Sequence, residues 1–388
     1  MRARASSKGW ILVGVAAALG SLDCSSGKGG SGGFNSSGTD DDGGNGSASG
    51  TSVVGSTSGG TGSGSGGSTN GSSGSSSSSG GVEAGSGASS GSGSTGGSGS
   101  SGLGSSDSGA TVTCPAAPGG APANAVTAYT VLNQIRVPAG SGCMNLVADL
   151  DTSAQDYCSY EAANSGNQSC VATAHTEVMG CTGFTGADVQ TREVAAGYPQ
   201  SLAYTEVATT FGNDPTAAVP SWINTVFHRI PLLDPWTVDM GYGGAMGCDA
   251  IDIGRGMSSI PTSTIVVYPY DGQTNVPTSF SGLEGPQPPA PSGGYPSSYP
   301  VNIYAQGLSV TQHVLTKAGD GAPIDHLWLD MNSSDLQSGL QGYFYDTAFL
   351  YGAPFAANTK YQVQIVGTYS GGTLNKTWTF TTGSSPGS

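Results

Sequence analysis

The sequence predicts an α+β fold class, with a domain of helices and strands over residues 114–257 followed by an all-β sandwich over residues 262–388. Three observations predict it. A tract at residues 25–112 consists almost wholly of Ser, Gly and Thr, a composition that cannot form a core. The apolar spacing then follows a helical period up to Pro235 and an alternating period after it, which indicates helices and then antiparallel strands. From residue 262 onward, short β-rich runs are bounded by Gly, Pro and Asn turns, which is typical of a sandwich.

The first 24 residues have the composition of an export signal. Three basic residues precede an apolar run at residues 10–22, which is too short and too rich in Gly and Ala for a membrane span. Cys24 follows at once, as in bacterial lipoproteins, although Asp23 departs from the small residue expected before a lipidated cysteine. The segment predicts an exported protein, anchored by lipid at Cys24 to the cell envelope, with the outer membrane as the expected site, or else extracellular.

The tract at residues 25–112 is expected to be a disordered tether. It includes GSSGSSSSSGG and holds too few apolar side chains to offset chain entropy. A flexible Ser/Gly chain of this length has a root-mean-square span of about 50 Å. The folded part would therefore work well away from its anchor.

The seven cysteines fit an oxidising compartment. If Cys24 carries lipid, an even set of six remains, which predicts three disulfides. None of the six stands in a C-x-x-C pair, so a zinc ribbon is disfavoured. Fifteen pairings stay open for the six cysteines, which are Cys114, Cys143, Cys158, Cys170, Cys181 and Cys248.

The charge of the chain excludes one class of partner. The chain has 26 Asp and Glu against 11 Lys and Arg, for a formal net charge of −15. Neither nucleic acid nor an anionic lipid surface attracts such a protein. Membrane association is expected only through Cys24.

Four helices are predicted in the first domain. Residues 125–136 space apolar side chains on one helical face, and a second helix is expected to start at Asp151 or Thr152 and end near Asn164. A third spans residues 187–198. Asp214 followed by proline predicts the N-cap of a fourth, which Pro220 should kink or shift.

Strands are predicted after the helices. Residues 238–255 alternate apolar with small or polar residues around a Gly-rich turn. In the last hairpin, Tyr361, Val363 and Ile365 face one way, and Trp378 and Phe380 resume the alternation after a turn at residues 370–372. The proline-rich segment 282–296 is expected to be a loop or an edge and not a central strand.

Candidate site residues come from the four histidines of the chain. His175 stands near Glu177 in AHTE, and Glu206 lies in AYTEVATT. With His228 they provide the side chains needed to bind a divalent metal such as zinc or to move protons. The spacing is weak evidence, because no H-E-x-x-H frame is present. The other two histidines, at positions 313 and 326, lie among β-type segments and are expected at the surface.

Seven segments of the first domain follow the order of a family pattern, and W-x-x-x-x-x-H-R followed by L-x-x-P is the most specific part of it. They are LNQIR (132–136), LVADLDTSAQDYCSYEA (146–162), AHTE (174–177), REVAAGY (192–198), TEV (205–207), WINTVFHRIPLLDP (222–235) and VDMGYG (238–243). Over residues 122–257 the chain resembles the CAP superfamily of cysteine-rich secretory, antigen 5 and pathogenesis-related 1 proteins, also called SCP-like, and most closely its bacterial exported members. The resemblance implies an α-β-α sandwich with a cleft where histidines and glutamates converge.

The same resemblance implies roles for individual residues. His175 matches the first cleft histidine, Glu206 the glutamate of a Gly-Glu-Asn stretch, and His228 the histidine of the bacterial His-Arg motif. Thr205 and Val207 replace the usual Gly and Asn. Asn224 or Thr225 stands where animal members carry a second glutamate, so a full tetrad requires Glu177 as a substitute.

Structural roles are open for some of these residues. Trp222 is expected to be a core anchor. Arg229 either caps carbonyls at a helix C-terminus or pairs with an acid such as Asp234. Two roles are open for His228: a buried histidine whose ring bonds to a backbone carbonyl, or a residue of the cleft.

Function is predicted at the level of a class. Neither a G-x-S-x-G elbow nor a phosphate-binding Gly loop occurs in residues 114–388. Proposals for the family include proteolysis, lipid or sterol carriage and protein interaction. We expect an extracellular module that binds a protein, a lipid or a small ligand. The alternative is a metal-assisted hydrolase in which His175 and His228 hold a metal and Glu206 activates water.

The C-terminal region resembles the bacterial Ig-like domains of exported proteins. FAANTKYQVQIVGTYSGG followed by TWTFTTG carries this resemblance. It implies a spacer or adhesive module, since a sandwich fold by itself does not fix a function.

Overall fold

The computed structural model describes residues 112–256 and 259–387. The predicted signal segment, Cys24 and the tether up to residue 111 lie outside the described residues. Within the described part of the chain, no helix is long and apolar enough to cross a membrane.

The first part contains five helices and four strands. They are α1 (Ala123–Ala139), β1 (Asn145–Leu146), α2 (Ala148–Asn164), α3 (Val189–Ala195), β2 (Ala203–Thr209), α4 (Pro215–Ile223), α5 (Arg229–Leu233), β3 (Thr237–Ala245) and β4 (Cys248–Arg255). The strands form one sheet in the order β1-β3-β4-β2. β1 runs parallel to β3, and the other pairs are antiparallel.

The four predicted helices are present with shifted ends. α2 begins three residues before the predicted Asp151, after Val147 at the N-cap. At α4 the Asp214 side chain accepts hydrogen bonds from the N–H groups of Thr216 and Ala217, as the Asp-Pro pair predicts. Pro220 lies inside α4 without ending it. The helix α5 and the strands β1 and β2 were not predicted from the sequence.

The sheet is packed between two layers of helices. α2 packs on β3 and β4, and α3 packs on α2 and β2. On the other face, α1 packs on β3 and contacts α4 and α5. The architecture of this part is therefore a three-layer α-β-α arrangement.

Two glycines of β3 allow α2 to lie directly on the sheet. A Cβ atom at Gly241 would stand 2.0 Å from the Asp151 nitrogen, and one at Gly243 would stand 2.1 Å from the Ala154 carbonyl carbon. No side chain fits in that space. The helix backbone therefore lies in contact with the strand backbone.

Three disulfides join the six cysteines, which confirms their predicted number and resolves the pairing. They are Cys114–Cys143, Cys158–Cys248 and Cys170–Cys181. The second bond ties α2 to the start of β4, and the third closes a loop after α2. Cross-links over separations of 29, 90 and 11 residues restrict the unfolded chain.

The C-terminal part consists of two four-stranded sheets. Their strands are β5 (Ile265–Tyr268), β6 (Gln273–Val276), β7 (Val301–Ala305), β8 (Ser309–Lys317), β9 (His326–Leu329), β10 (Thr347–Gly352), β11 (Lys360–Tyr369) and β12 (Gly372–Thr382), with a short 3₁₀ helix at Gln341–Phe344. The sheet orders are β5-β7-β10-β9 and β6-β12-β11-β8.

The alternation predicted for the last hairpin is confirmed. Tyr361, Val363 and Ile365 of β11 are buried together with Trp378 and Phe380 of β12. The proline-rich segment 282–296 contains no strand. The same apolar cluster that contains Val363 also contains Leu132 of α1, so the cores of the two parts are continuous.

We predict that Gly241→Ala destabilises the protein by about 3 kcal/mol or more, because the new methyl group must displace the α2 backbone. The free energy of unfolding in urea measures the effect. Gly166→Ala is the matched control, since a Cβ there meets nothing within 4 Å. Equal stability of the two variants would contradict the close packing of α2 on β3.

Candidate functional site

A disulfide-closed loop after α2 carries His175. The backbone N–H of His175 donates to the Tyr157 hydroxyl, and the N–H of Val178 donates to the Tyr160 hydroxyl. The two tyrosines stand one turn apart on α2, so the helix fixes two points of the loop. His175 has a φ of 67°, a left-handed conformation that a non-glycine residue adopts at a cost.

His175 is bonded to a buried ion pair. Its Nδ1 lies 2.8 Å from Glu206 Oε1, and the other oxygen of Glu206 accepts from Arg192 at 2.8 Å. Arg192 also donates to the His175 carbonyl at 3.0 Å. Its guanidinium lies 4.4 Å from the centre of the Tyr157 ring. Arg192 and Glu206 are buried, so their charges are compensated by each other.

Glu177 belongs to the same group of side chains. It is buried, accepts from the Thr185 hydroxyl at 3.0 Å and the Gly186 N–H at 3.2 Å, and stands 3.7 Å from Arg192 Nε. These bonds tie the loop to the segment that follows it. Arg192 therefore contacts two glutamates, Glu206 at 2.8 Å and Glu177 at 3.7 Å.

Asp252 is a further buried acid of this group, which we call the His175 cluster: His175, Glu177, Arg192, Glu206 and Asp252. It is the direct cross-strand neighbour of Glu206 in the β2–β4 ladder. Burial and the neighbouring Glu206 raise the pKa of Asp252 well above its usual range. Burial also raises the pKa of Glu206, but Arg192 opposes that shift. We place the proton on Asp252 and the negative charge on Glu206.

The protonation of His175 follows from its neighbours. Burial of the ring and the Arg192 charge lower the pKa of His175 to about 4. Because the Glu206 carboxylate can only accept, the hydrogen of the neutral ring lies on Nδ1. Nε2 then carries a free lone pair. About a third of the side chain, 34%, remains exposed, so this lone pair is available to a ligand.

His228 has a different carboxylate partner from His175. Its Nδ1 is 3.2 Å from Glu284 Oε2, on the proline-rich loop of the C-terminal part. The Glu284 carboxylate also accepts from the backbone N–H groups of Val226 and Phe227. His228 therefore joins the α4–α5 connection to the C-terminal part.

Arg229, which is buried, also joins the α4–α5 connection to the C-terminal part. It donates to the carbonyl of Ile223, the last residue of α4, and to the carbonyl of Pro300. The capping role considered for it is confirmed, whereas Asp234 pairs with Arg255 instead, at 3.8 Å. The Arg229 guanidinium is fully buried among three rings, those of Tyr268, Tyr299 and Phe349. Trp222 is buried in the core as predicted.

The four predicted site residues thus fall into two places. His175, Glu206 and Glu177 meet around Arg192, but the partner of His228 is Glu284. His175 and His228 have different carboxylate partners, Glu206 and Glu284, and the expectation that they share one zinc ion stays a prediction. Among residues 112–256 and 259–387, no group of three or more His, Cys, Asp or Glu side chains is arranged to hold a metal ion.

The sequence analysis missed Arg192, Asp252 and Glu284 as site residues. Arg192 lies in REVAAGY, a segment of the family pattern, but its side chain was not predicted to pair with an acid. Asp252 gave a usable signal, because an acid between two isoleucines in the strand CDAIDIGR disfavours burial unless it has a specific partner. The sequence around Glu284 gave no signal that this residue has a partner in the first domain.

Comparisons with known proteins give limited information. No protein-family model matches the sequence, and no curated protein matches it. Among solved structures, the chain is similar to an extracellular protein containing a SCP domain from Bacillus anthracis str. Ames, with 16% sequence identity and a TM-score of 0.29. The match covers 34% of this chain and 40% of that one, less than half of either.

We predict that Glu193→Gln removes a pH-dependent loss of stability. Glu193 is buried, and burial raises its pKa to about 9. Between pH 4.5 and 9 the folded state keeps this proton while the unfolded chain releases it, so stability falls as pH rises through that window. Glutamine does not titrate, and we expect the variant to be more stable than the parent at pH 8 by on the order of 2 kcal/mol.

Urea unfolding at pH 4.5 and pH 8 measures this difference. The gain should shrink to about 0.4 kcal/mol at pH 4.5, where the glutamate of the unfolded parent is half protonated. Asp320→Asn, at an exposed position, is the control and should show no such pH dependence. A gain that is equal at both pH values would contradict the assignment.

Proposed function

We propose that the chain is an exported protein of the CAP superfamily whose His175 cluster binds a ligand. The order of the seven sequence segments supports the family, and so does the three-layer arrangement with α1 and α2 on opposite faces of the sheet. Three disulfides support an oxidising, exported location. The lipid anchor at Cys24 rests on the sequence pattern alone.

The observation that carries the binding proposal is the composition of the loop around His175. The loop offers the Nε2 lone pair of a neutral imidazole as an acceptor. On the same loop Val178 is 41% and Met179 is 82% exposed. An acceptor beside exposed apolar side chains suits a molecule with a hydrogen-bond donor on an apolar body. A sterol, a lipid or an apolar segment of a protein partner has that chemistry.

The hydrolase alternative draws less support from the same contacts. Both oxygens of Glu206 already accept hydrogen bonds, from His175 and Arg192, and Arg192 lowers the basicity that a water-activating glutamate needs. The second histidine of that mechanism, His228, is engaged by Glu284. We therefore rank binding above catalysis.

For the C-terminal part we propose an Ig-like spacer. Its two four-stranded sheets support this assignment. The Arg229 junction with the first part would hold this spacer in a fixed orientation relative to the His175 loop.

The experiment that tests the binding proposal uses the fluorescent sterol dehydroergosterol as the probe, titrated into the full chain. We predict saturable binding that is weakened at least about tenfold by Met179→Asp, because a charge replaces apolar contact, and by His175→Ala, because the acceptor is lost. Met246→Asp is the matched control, since Met246 is 89% exposed on the β3–β4 turn. Absence of binding, or equal weakening by Met246→Asp, would contradict the proposal.

A calorimetric titration with zinc tests the alternative. Stoichiometric zinc binding that is lost in the His175→Ala/His228→Ala double variant would favour the hydrolase. We expect the double variant and the parent to bind the same number of zinc ions, because the two histidines have separate partners.

A further inference from the structure

A polar pocket lies at the open edge of β3, between the start of α1 and the loop that follows β2. Its volume is about 190 Å³. The strand β1 pairs with only two residues of β3, and beyond them this edge has no strand partner among the described residues. Side chains of α2 serve the edge instead. Asp151 accepts from the Tyr242 N–H at 2.8 Å, and Gln155 accepts from the Gly244 N–H at 3.3 Å.

This pocket and the His175 cluster lie on opposite faces of the sheet. Successive residues of a strand point to opposite faces. Gly241 faces α2 and is the cross-strand neighbour of Asp252, whereas Tyr242 and Gly244 face the other way and line the pocket. The pocket is therefore independent of the binding proposed at His175.

A buried carboxylate holds the loop that forms one wall of the pocket. Asp249 is buried and accepts from the backbone N–H groups of Gly212 at 2.5 Å and Asp214 at 2.8 Å. Asn213, between these two residues, has a φ of 70°, a left-handed conformation that a non-glycine residue adopts at a cost. The loop thereby places Asn213 against Gly244, where a Cβ atom would stand 2.3 Å from Asn213 Oδ1.

Three carboxamides line the pocket, those of Asn124, Gln155 and Asn213. Asn124 Nδ2 donates to Asn213 Oδ1 at 2.7 Å. In the part of the chain that the structure describes, Asn124 Oδ1 and Asn213 Nδ2 have no hydrogen-bond partner. Gln155 Nε2 donates to the Ser159 hydroxyl at 3.2 Å and keeps a second hydrogen. The wall therefore offers an acceptor and two donors to a ligand.

The lining of the pocket selects against an ion. Within the described part of the chain, every residue that lines it is uncharged, although the chain has 26 Asp and Glu and 11 Lys and Arg. An ion that enters a site without an opposite charge loses hydration that carboxamides do not fully replace. A neutral polar molecule does not carry that cost.

We propose that this pocket binds one neutral sugar unit. A hydroxyl group both donates and accepts a hydrogen bond, and a carboxamide supplies one group of each kind. Neighbouring hydroxyls of a sugar therefore complement the free amide groups of Asn124 and Asn213. The volume of the pocket equals that of about six water molecules in the liquid, which is close to the volume of one six-carbon sugar.

The start of α1 adds donors to the same pocket. The helix begins after Pro122, which provides no side-chain cap, so N–H groups of its first turn are available to hydroxyl oxygens. Such groups also attract anions, and an anion is therefore the competing ligand. Inorganic phosphate serves as the probe for that competitor.

Saturation-transfer NMR on the full chain tests the proposal, with D-glucose, D-mannose and D-galactose as separate probes at up to about 50 mM. We expect saturable binding of at least one of them with a Kd on the order of 1 mM, because a small ligand held by hydrogen bonds gains little free energy. The methyl glycosides distinguish two sources of the sugar. The end of a glycan chain binds equally well when the anomeric hydroxyl is methylated, whereas a free sugar bound through that hydroxyl does not.

Asn213→Gly removes one amide at a φ that glycine adopts freely, so the variant keeps the loop. We expect it to weaken sugar binding at least about tenfold. Asn358→Gly is the matched control, because Asn358 is also exposed and left-handed, with a φ of 50°, but lies in the C-terminal part. Absence of saturable sugar binding would overturn the proposal, as would equal weakening by the two variants or saturable binding of phosphate in place of the sugars.

Discussion

The direct contact between α2 and β3 is the constraint on which the rest of the first part depends. Because Gly241 and Gly243 leave no side chain between the two backbones, α2 lies flat on the sheet in a fixed rotation. That rotation directs Tyr157 and Tyr160 at the loop beyond the helix and brings Cys158 to Cys248. The position of His175 is therefore determined by two glycines on a strand that it does not touch.

Sequence reasoning was effective where the signal is local. The Asp214-Pro215 pair gave the start of α4, and the alternation around Val363 gave the last hairpin, because caps and strand faces depend on nearby residues. The even number of cysteines after Cys24 gave the number of disulfides. It did not give the partner of Cys158, which lies 90 residues away. His175 and Glu206 were found as candidates because the chain has only four histidines, and the family pattern then assigned both residues to one cleft.

The role of the His-Arg pair could not be derived from its own segment. The partners of His228 and Arg229 are Glu284 and Pro300, which lie 56 and 71 residues further along the chain. Glu284 is one acid in a proline-rich loop, where nothing in the local composition distinguishes it. The His228-Arg229 motif, which suggested a cleft, joins the first part of this protein to the C-terminal part. His175 is bonded to a different acid, Glu206.

The burial of Arg229 has a consequence for how such a protein can change over time. Its guanidinium is enclosed on one side by the end of α4 and on the other by aromatic rings that belong to the sandwich. Replacing the sandwich with another would leave a desolvated charge against a surface that was not made for it. A different sandwich would therefore have to enclose Arg229 in the same way, and a substitution in the ring of Tyr299 removes a contact of the helical part.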